Sequence, residues 1–370
     1  MWLWGLFLGF EMSGKFETKL GVDIKKEALV SFQENHAIKP DVICEDIREV
    51  SDEILLSILA KQGIGVGELD CLVGGPPCQG FSQMRRLSYR DKSEVAKFKG
   101  YSKLAEDPRN DLILRFLEIA VLLKPKFIII ENVKQVKNHV LNGKEGGFIK
   151  AIEEVLGESG YDVTHSILNA AQYGVPQLRE RAFVMASRVT KASFPEPTHS
   201  QEPDLFNTLL PFVSVEDAIS DLPAPTLDTD ELGGSSLTTY KSQPSNDYQR
   251  LMRKETSTFP YGHITRNYSE KIINIIKEMP QGKTWNEVSN AKVNDYENLI
   301  SCIVSQTGQS REEVINELIV SEKINPVFYK KYYWSAYTRL HPQKPALTVT
   351  ANANFLGSGP LYTSISGTVV

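Results

Sequence analysis

The chain has 370 residues, 41% of them apolar and 24% charged, and a net charge of −5 at neutral pH. These values suit a globular protein of two domains or one large one and exclude a disordered, collagenous or disulfide-stapled chain. Four cysteines without paired spacing point to a reducing compartment, and an acidic balance does not announce a nucleic-acid binder.

Taken in chain order, the first ten residues, "MWLWGLFLGF", are apolar but too short to span a bilayer and lack the basic leader of a signal peptide. No membrane association is expected, and the expected location is cytoplasmic. "TKLGVDI" (18–24) reads as a strand, "KKEALVSFQENH" (25–36) as a helix, "DVICEDI" (41–47) as a strand and "DEILLSILAKQG" (52–63) as a helix. A strand over Leu69 to Gly75 leads into "GGPPCQGFS" (74–82). "DLILRFLEIAVLLK" (111–124) has one broad apolar face and stops at Pro125, and "KFIIIENV" (126–133) is a β-branched strand. A helix over 147–160, closed by Gly160, precedes the strands "YDVTHSILNA" and "RAFVMASR". This alternation predicts an α/β fold, a doubly wound and mostly parallel sheet with helices on both faces. The rhythm breaks near Phe194. Residues 196–340 mix helical pieces with irregular Thr-, Ser-, Asn- and Pro-rich stretches and predict a smaller, loop-rich second domain. "PALTVTA" (345–351) is again strand-like.

Chemistry concentrates at three strand ends. Pro76 and Pro77 stop the ladder and leave Cys78 just past the carboxyl end of a strand, where open α/β sheets place ligands. Cys44, Cys71 and Cys302 stand among aliphatic neighbours and read as buried packing residues; Cys78 does not, and reads as a nucleophile. No second Cys or His lies at metal-ligand spacing, so no metal is expected. Glu131 ends an apolar strand, where desolvation would favour a protonated carboxyl; alone, it reads more readily as a strand-end acid that caps a helix or pairs with an arginine. Gln177, Arg179 and Arg181 alternate as a strand begins, which puts all three on one face; alone, they read equally as a donor array suited to carbonyls or phosphates and as a surface salt-bridge ladder. Together, a thiol, a carboxyl and an arginine suit covalent attack on an electron-poor ring. Residues 83–104 carry seven Lys or Arg against Asp91 and Glu94, a basic loop fit for an anionic substrate.

"GGPPCQGFS", "ENV" and "QLRER", in this order, closely resemble the C5-cytosine DNA methyltransferase family of bacterial restriction–modification systems. "GHITRNYSEKIINIIKEMPQGKTW" (262–285) and "YTRLHPQKPALTVTANANF" (337–355) look like its recognition domain and the return from it. The resemblance implies an S-adenosylmethionine-dependent, Rossmann-like catalytic domain over 1–195, a DNA-recognition domain over 196–340 and a partial return over 341–370. It implies methylation of C5 of a flipped cytosine in double-stranded DNA, with the protein associated with the nucleoid. Cys78 would add to C6, Glu131 would engage N3 and the exocyclic amine, and Arg181 would contact the base with Arg179 and Gln177 beside it. S-adenosyl-L-methionine, the methyl donor, would meet Gly5, Asp23, Ile24, Asp46, Ile47, Pro77 and Leu112. Ser82, Arg85, Arg86 and Arg90 would contact DNA from the basic loop.

Two departures from the family pattern stand at the ends. "MWLWG" replaces most of the family's glycine turn, leaving Gly5, and "GPLYTSISGTVV" replaces the closing motif of the cofactor pocket. The expectation is a chain truncated at both ends by a frameshifted or mis-started reading frame, with an adjacent reading frame or a complementing chain supplying the missing carboxyl-terminal segment. The competing reading is a catalytically inactive remnant that still binds DNA. A third, transfer-RNA cytosine methylation, is opposed by the long 196–340 segment.

Overall fold

The structure is a computed structural model and describes residues 4–76, 111–138, 147–202, 208–227, 238–253, 258–260, 263–265, 268–330, 332 and 336–348. The chain forms two compact units. One comprises Met1–Leu168 and Glu180–Glu196, the other Asn169–Arg179 and Pro197–Val370.

In the first unit the elements are α1 (Trp4–Met12), β1 (Leu20–Val22), α2 (Lys26–Glu34), β2 (Asp41–Ile43), α3 (Asp52–Lys61) and β3 (Cys71–Gly74). There follow α4 (Asp111–Leu123), β4 (Phe127–Val133), α5 (Gly147–Glu158) and β5 (Asp162–Asn169). The short β6 (Gln177–Leu178) falls in the second unit, and β7 (Glu180–Ser187) returns to the first. Each expected strand and helix of this region forms, most of them trimmed at their ends and β7 beginning one residue early, at Glu180. Local chemistry explains the boundaries. Ser51 caps α3 by accepting from the Ile54 N–H, and Asp52 and Glu53 occupy the positive first turn. Gly160 closes α5 in the left-handed region at φ 85°, where glycine carries no Cβ penalty.

β1 pairs with β2 in parallel, and β3, β4, β7 and β5 form a separate four-stranded sheet in that order. β3 and β4 are parallel, but β4 and β7 are antiparallel over seven residue pairs. The sheet is therefore mixed rather than purely parallel. The connection from β5 to β7 contains only a 3-10 turn (Ala170–Tyr173) and β6. Without a crossover helix, a strand does not return parallel. β4 carries the core: Ile128, Ile130 and Asn132 alternate inward and are buried. Ile128 and Ile130 pack with Ile113, Leu117 and Ala120 of α4, Ile152 and Leu156 of α5, and Val184 and Ala186 of β7. Each fully buried isoleucine contributes roughly 1.5–3 kcal/mol. A neighbouring cluster joins Leu55 and Leu59 of α3 to Ile119 and Leu123 of α4 around Val50.

In the second unit, β8 (His199–Ser200) pairs with β9 (Leu210–Pro211), followed by α6 (Val215–Ile219), β10 (Thr226–Leu227), α7 (Asp247–Met252) and β11 (Ile264–Thr265). Three helices follow: α8 (Glu270–Glu278), α9 (Trp285–Thr307) and α10 (Arg311–Val320). β12 (Ala346–Leu347) then pairs in parallel with β6. The helices are more regular than a loop-rich reading predicts. They close on their own core, in which Trp285 stacks on Phe328 at 5.2 Å and sends its indole N–H to the Lys330 carbonyl. The signals for them stand in the sequence. Thr284 with Glu287, and Ser310 with Glu313, are reciprocal capping boxes, and Gly308 ends α9 in the left-handed region at φ 70°.

Candidate active site

β3 ends at Gly74, where the Phe116 ring of α4 leaves no room for a side chain: a Cβ there would lie 2.1 Å from its Cε2. The chain then turns at Pro76. Pro77, Cys78, Ser82, Arg85, Arg86 and Arg90 lie outside the described residues. The approach to Cys78 is nevertheless anchored. Asn132, only 6% exposed, donates from Nδ2 to the Pro76 carbonyl at 3.0 Å and accepts from the Val133 N–H at 2.8 Å. The strand that carries Glu131 thus holds the backbone two residues ahead of the cysteine. Sequence reasoning passed over Asn132. Its signal was the period-two pattern, which puts it on the inward face with Ile128 and Ile130, where a buried amide must find partners.

Glu131 and Arg181 meet directly. Glu131 stands opposite Phe183 in the β4–β7 ladder, so Arg181 is its diagonal neighbour on the same face. Arg181 Nε lies 3.0 Å from Glu131 Oε1, with both side chains more than four-fifths buried. Arg181 Nη1 also donates to the Glu180 carbonyl at 2.8 Å, while Glu180 itself pairs with Lys134. Of the readings open for Glu131, the pairing with an arginine is the one that forms. A carboxylate and a planar cation on adjacent strands form a site of paired acceptor and donor.

Gln177, Arg179 and Arg181 do not share one continuous strand. β6 ends at Leu178 and β7 begins at Glu180, and the division between the two units falls at Arg179. The break has a local cause. The Arg179 carbonyl accepts from the Ala170 N–H at 3.0 Å, and its own N–H goes to Asn169 Oδ1 at 3.3 Å. Its backbone is therefore committed to the turn that leaves β5. Gln177 and Leu178 pair instead with Ala346 and Leu347.

Four of the residues expected to meet the cofactor follow the carboxyl ends of β1 and β2, which pair in parallel. Asp23 follows β1, and its Oδ1 accepts from the Lys25 N–H at 2.9 Å. Asp46 follows β2 and is gripped by Arg48, whose Nε reaches Oδ1 at 3.0 Å and whose Nη2 reaches Oδ2 at 2.5 Å. That side chain, and then the Arg48 backbone N–H, hold the Asp46 carboxyl down to about 2. Ile24 and Ile47 each follow one of these acids, and Ile24 is 65% exposed. Two carboxylates with apolar neighbours, past the carboxyl ends of a parallel pair, fit a ligand with hydroxyl or amine donors and a flat apolar face. Adenosine offers both. Leu112 is half-buried on α4. Gly5 lies within α1, and a Cβ there would meet nothing within 4 Å, so nothing in its surroundings requires glycine.

The other cysteines separate. Burial, with a smaller contribution from Asp70, pushes the Cys71 thiol up to about 12, which leaves it inert as a nucleophile. Cys44 and Cys302 are exposed, which corrects the expectation that they are packed. Cys44 lies in the irregular turn after β2, and Cys302 on the outer side of α9, so aliphatic sequence neighbours did not imply burial. Among the described residues no group of three metal-ligating side chains forms, and no helix is long and apolar enough to cross a membrane.

Comparison with known proteins places this geometry. Among solved structures, a DNA modification methyltransferase encoded within an E. coli prophage shares the fold at a TM-score of 0.50 and 20% identity, covering 73% of this chain and 71% of its own. The chain is 33% identical over 240 residues to type II methyltransferase M.AquIA of Picosynechococcus sp., covering 60% of this chain and 86% of that protein. It is 30% identical over 286 residues to M.DdeI of Desulfomicrobium norvegicum, covering 77% of this chain and 60% of that protein. It spans half the length of M1.HphI of Haemophilus parahaemolyticus. The model of the C-5 cytosine-specific DNA methylases matches residues 3–355, a span that takes in the Pro76 anchor, the Glu131–Arg181 pair and the strand-end acids. By that match over nearly its whole length, the chain belongs to the C-5 cytosine-specific DNA methylases.

Proposed function

We propose that this chain methylates C5 of cytosine in double-stranded DNA through a covalent adduct between Cys78 and C6. The observation that carries the reading is the Glu131–Arg181 pair at 3.0 Å, on a strand whose next residue holds the Pro76 carbonyl. Addition of the Cys78 thiolate to C6 needs the ring's electrons drawn toward N3; Glu131, protonated when the base is bound, is the group to give its proton to N3 and to accept from the exocyclic amine. Arg181 orients that carboxyl and faces the base. C5 then becomes nucleophilic. When bound, S-adenosylmethionine supplies an electrophilic methyl group on a positively charged sulfur, which keeps the S–CH3 electron pair and leaves as a neutral thioether; Asp23, Ile24, Asp46, Ile47 and Leu112 are the residues to hold it. Loss of the C5 proton restores the double bond and expels Cys78 as thiolate. The base must leave the helix to be reached, at roughly a few kcal/mol of unstacking. The basic loop with Ser82, Arg85, Arg86 and Arg90 would hold the phosphates, and residues 196–340 would read the target.

The test is covalent trapping on duplex DNA carrying 5-fluorocytosine, which cannot lose its C5 substituent. With S-adenosylmethionine present, the wild-type chain and Cys71→Ser should form the adduct and Cys78→Ser should not. An adduct that survives Cys78→Ser, or no adduct with the wild-type chain, overturns the reading.

A further inference from the structure

One buried cation plays no part in the chemistry above. Arg115 projects from α4 with its side chain only 15% exposed. Its Nε donates to the Ile47 carbonyl at 3.3 Å, and its Nη2 to the Val50 carbonyl at 2.7 Å and to Asp52 Oδ1 at 2.8 Å. Nη1 reaches Glu118 at 3.2 Å. Residues 44–50 form no strand or helix, and one internal backbone bond, from the Glu49 N–H to the Asp46 carbonyl at 2.9 Å, tightens them. The turn's outer carbonyls are therefore fixed from α4, across more than sixty residues of chain. Leu112 lies three positions before Arg115, on the same side of the helix.

We infer that Arg115 is a positioning residue for the cofactor: it locks the turn that presents Asp46 and Ile47, on the helix that presents Leu112. The inference rests on the reading that Asp46 and Ile47 hold the adenosine. A turn of this kind could be stabilised by packing alone, and Val50, 1% exposed, already anchors its far end. Packing does not orient carbonyls, however. A rigid five-donor fork does, because each donor direction is fixed by the guanidinium plane. Lysine offers a point charge that can satisfy one carbonyl but not hold two in register. Glutamine keeps a polar head of shorter reach and no charge for Asp52.

The experiment is calorimetric titration of S-adenosylmethionine into the full chain carrying Arg115→Gln, Arg115→Lys or Asp46→Ala, with hydrogen exchange at residues 44–50 and gel-shift affinity for duplex DNA alongside. Loss of two backbone bonds to a charged donor should weaken S-adenosylmethionine about tenfold or more in Arg115→Gln, with a smaller loss in Arg115→Lys. Exchange at residues 44–50 should quicken, and DNA affinity should stay within about twofold of wild type. Unchanged cofactor affinity in a folded Arg115→Gln, or equal losses for cofactor and DNA, overturns the inference. If Arg115→Gln does not fold, Arg115→Lys decides by the same criteria. Asp46→Ala separates the two levels: if it binds S-adenosylmethionine as wild type does, the pocket reading fails, whatever Arg115 does.

Discussion

Replacing Asn132 tests whether the strand end governs the nucleophile's loop. Asn132→Ala deletes one hydrogen bond to the Pro76 carbonyl at 3.0 Å and one from the Val133 N–H at 2.8 Å, in a residue 6% exposed. A buried acceptor left without its donor costs about 1–3 kcal/mol. Only the Pro76 bond bears on Cys78, two residues on. Assigning about 1–2 kcal/mol to the lost constraint gives a fall of about 5- to 30-fold in the rate of adduct formation. Asn132→Asp is the sharper variant, because it sets a carboxylate oxygen against the Pro76 carbonyl where a donor now stands; its rate should fall further. The assay is single-turnover trapping on 5-fluorocytosine duplex at saturating S-adenosylmethionine. Calorimetric cofactor affinity and a thermal melt show that the fold and the adenosine side are intact. A folded Asn132→Ala that traps within about twofold of wild type, or an Asn132→Asp no slower than Asn132→Ala, refutes the reasoning.

Three further outcomes are expected. Gly74→Ala forces a methyl group into the Phe116 ring and should destabilise the chain by about 1–3 kcal/mol, measured by urea unfolding; Phe116→Leu in the same chain should recover part of the loss. Iodoacetamide at pH 8 should label Cys44 and Cys302 in the native protein and leave Cys71 unmodified until the chain unfolds, since its thiol titrates near 12; mass spectrometry of tryptic peptides reads this directly. The backbone N–H and hydroxyl of Thr284 and the Lys283 ammonium hold the Glu287 carboxyl down to about 2. Because the folded value lies below the ordinary one of 4.5, the stability it adds is present above that pH and is lost as pH falls toward 2. Glu287→Gln should flatten this part of the acid melt followed by circular dichroism, and Thr284→Ala should cost about 1 kcal/mol at neutral pH.

The alternation of apolar runs determined the α/β class and nearly every element of the first unit, because helix and strand periods are local properties of a half-buried surface. "KFIIIENV" fixed both β4 and the position of Glu131 at its end, and the order of "GGPPCQGFS", "ENV" and "QLRER" pointed to the family before any coordinates. Local pattern could not say that β7 runs against β4, since strand direction depends on how the ends are connected in space. Nor could it say which arginine would pair with Glu131, because their meeting is a diagonal contact between strands almost fifty residues apart. Burial of the cysteines escaped it for the same reason: Cys44 and Cys302 have aliphatic neighbours in sequence but solvent in space. Asn132 and Arg115 mark the limit most clearly. A buried amide and a buried guanidinium must find partners, and that much follows from composition and period. Which carbonyls they hold, Pro76 for one and Ile47 with Val50 for the other, was decided only when strand ends and helix came together.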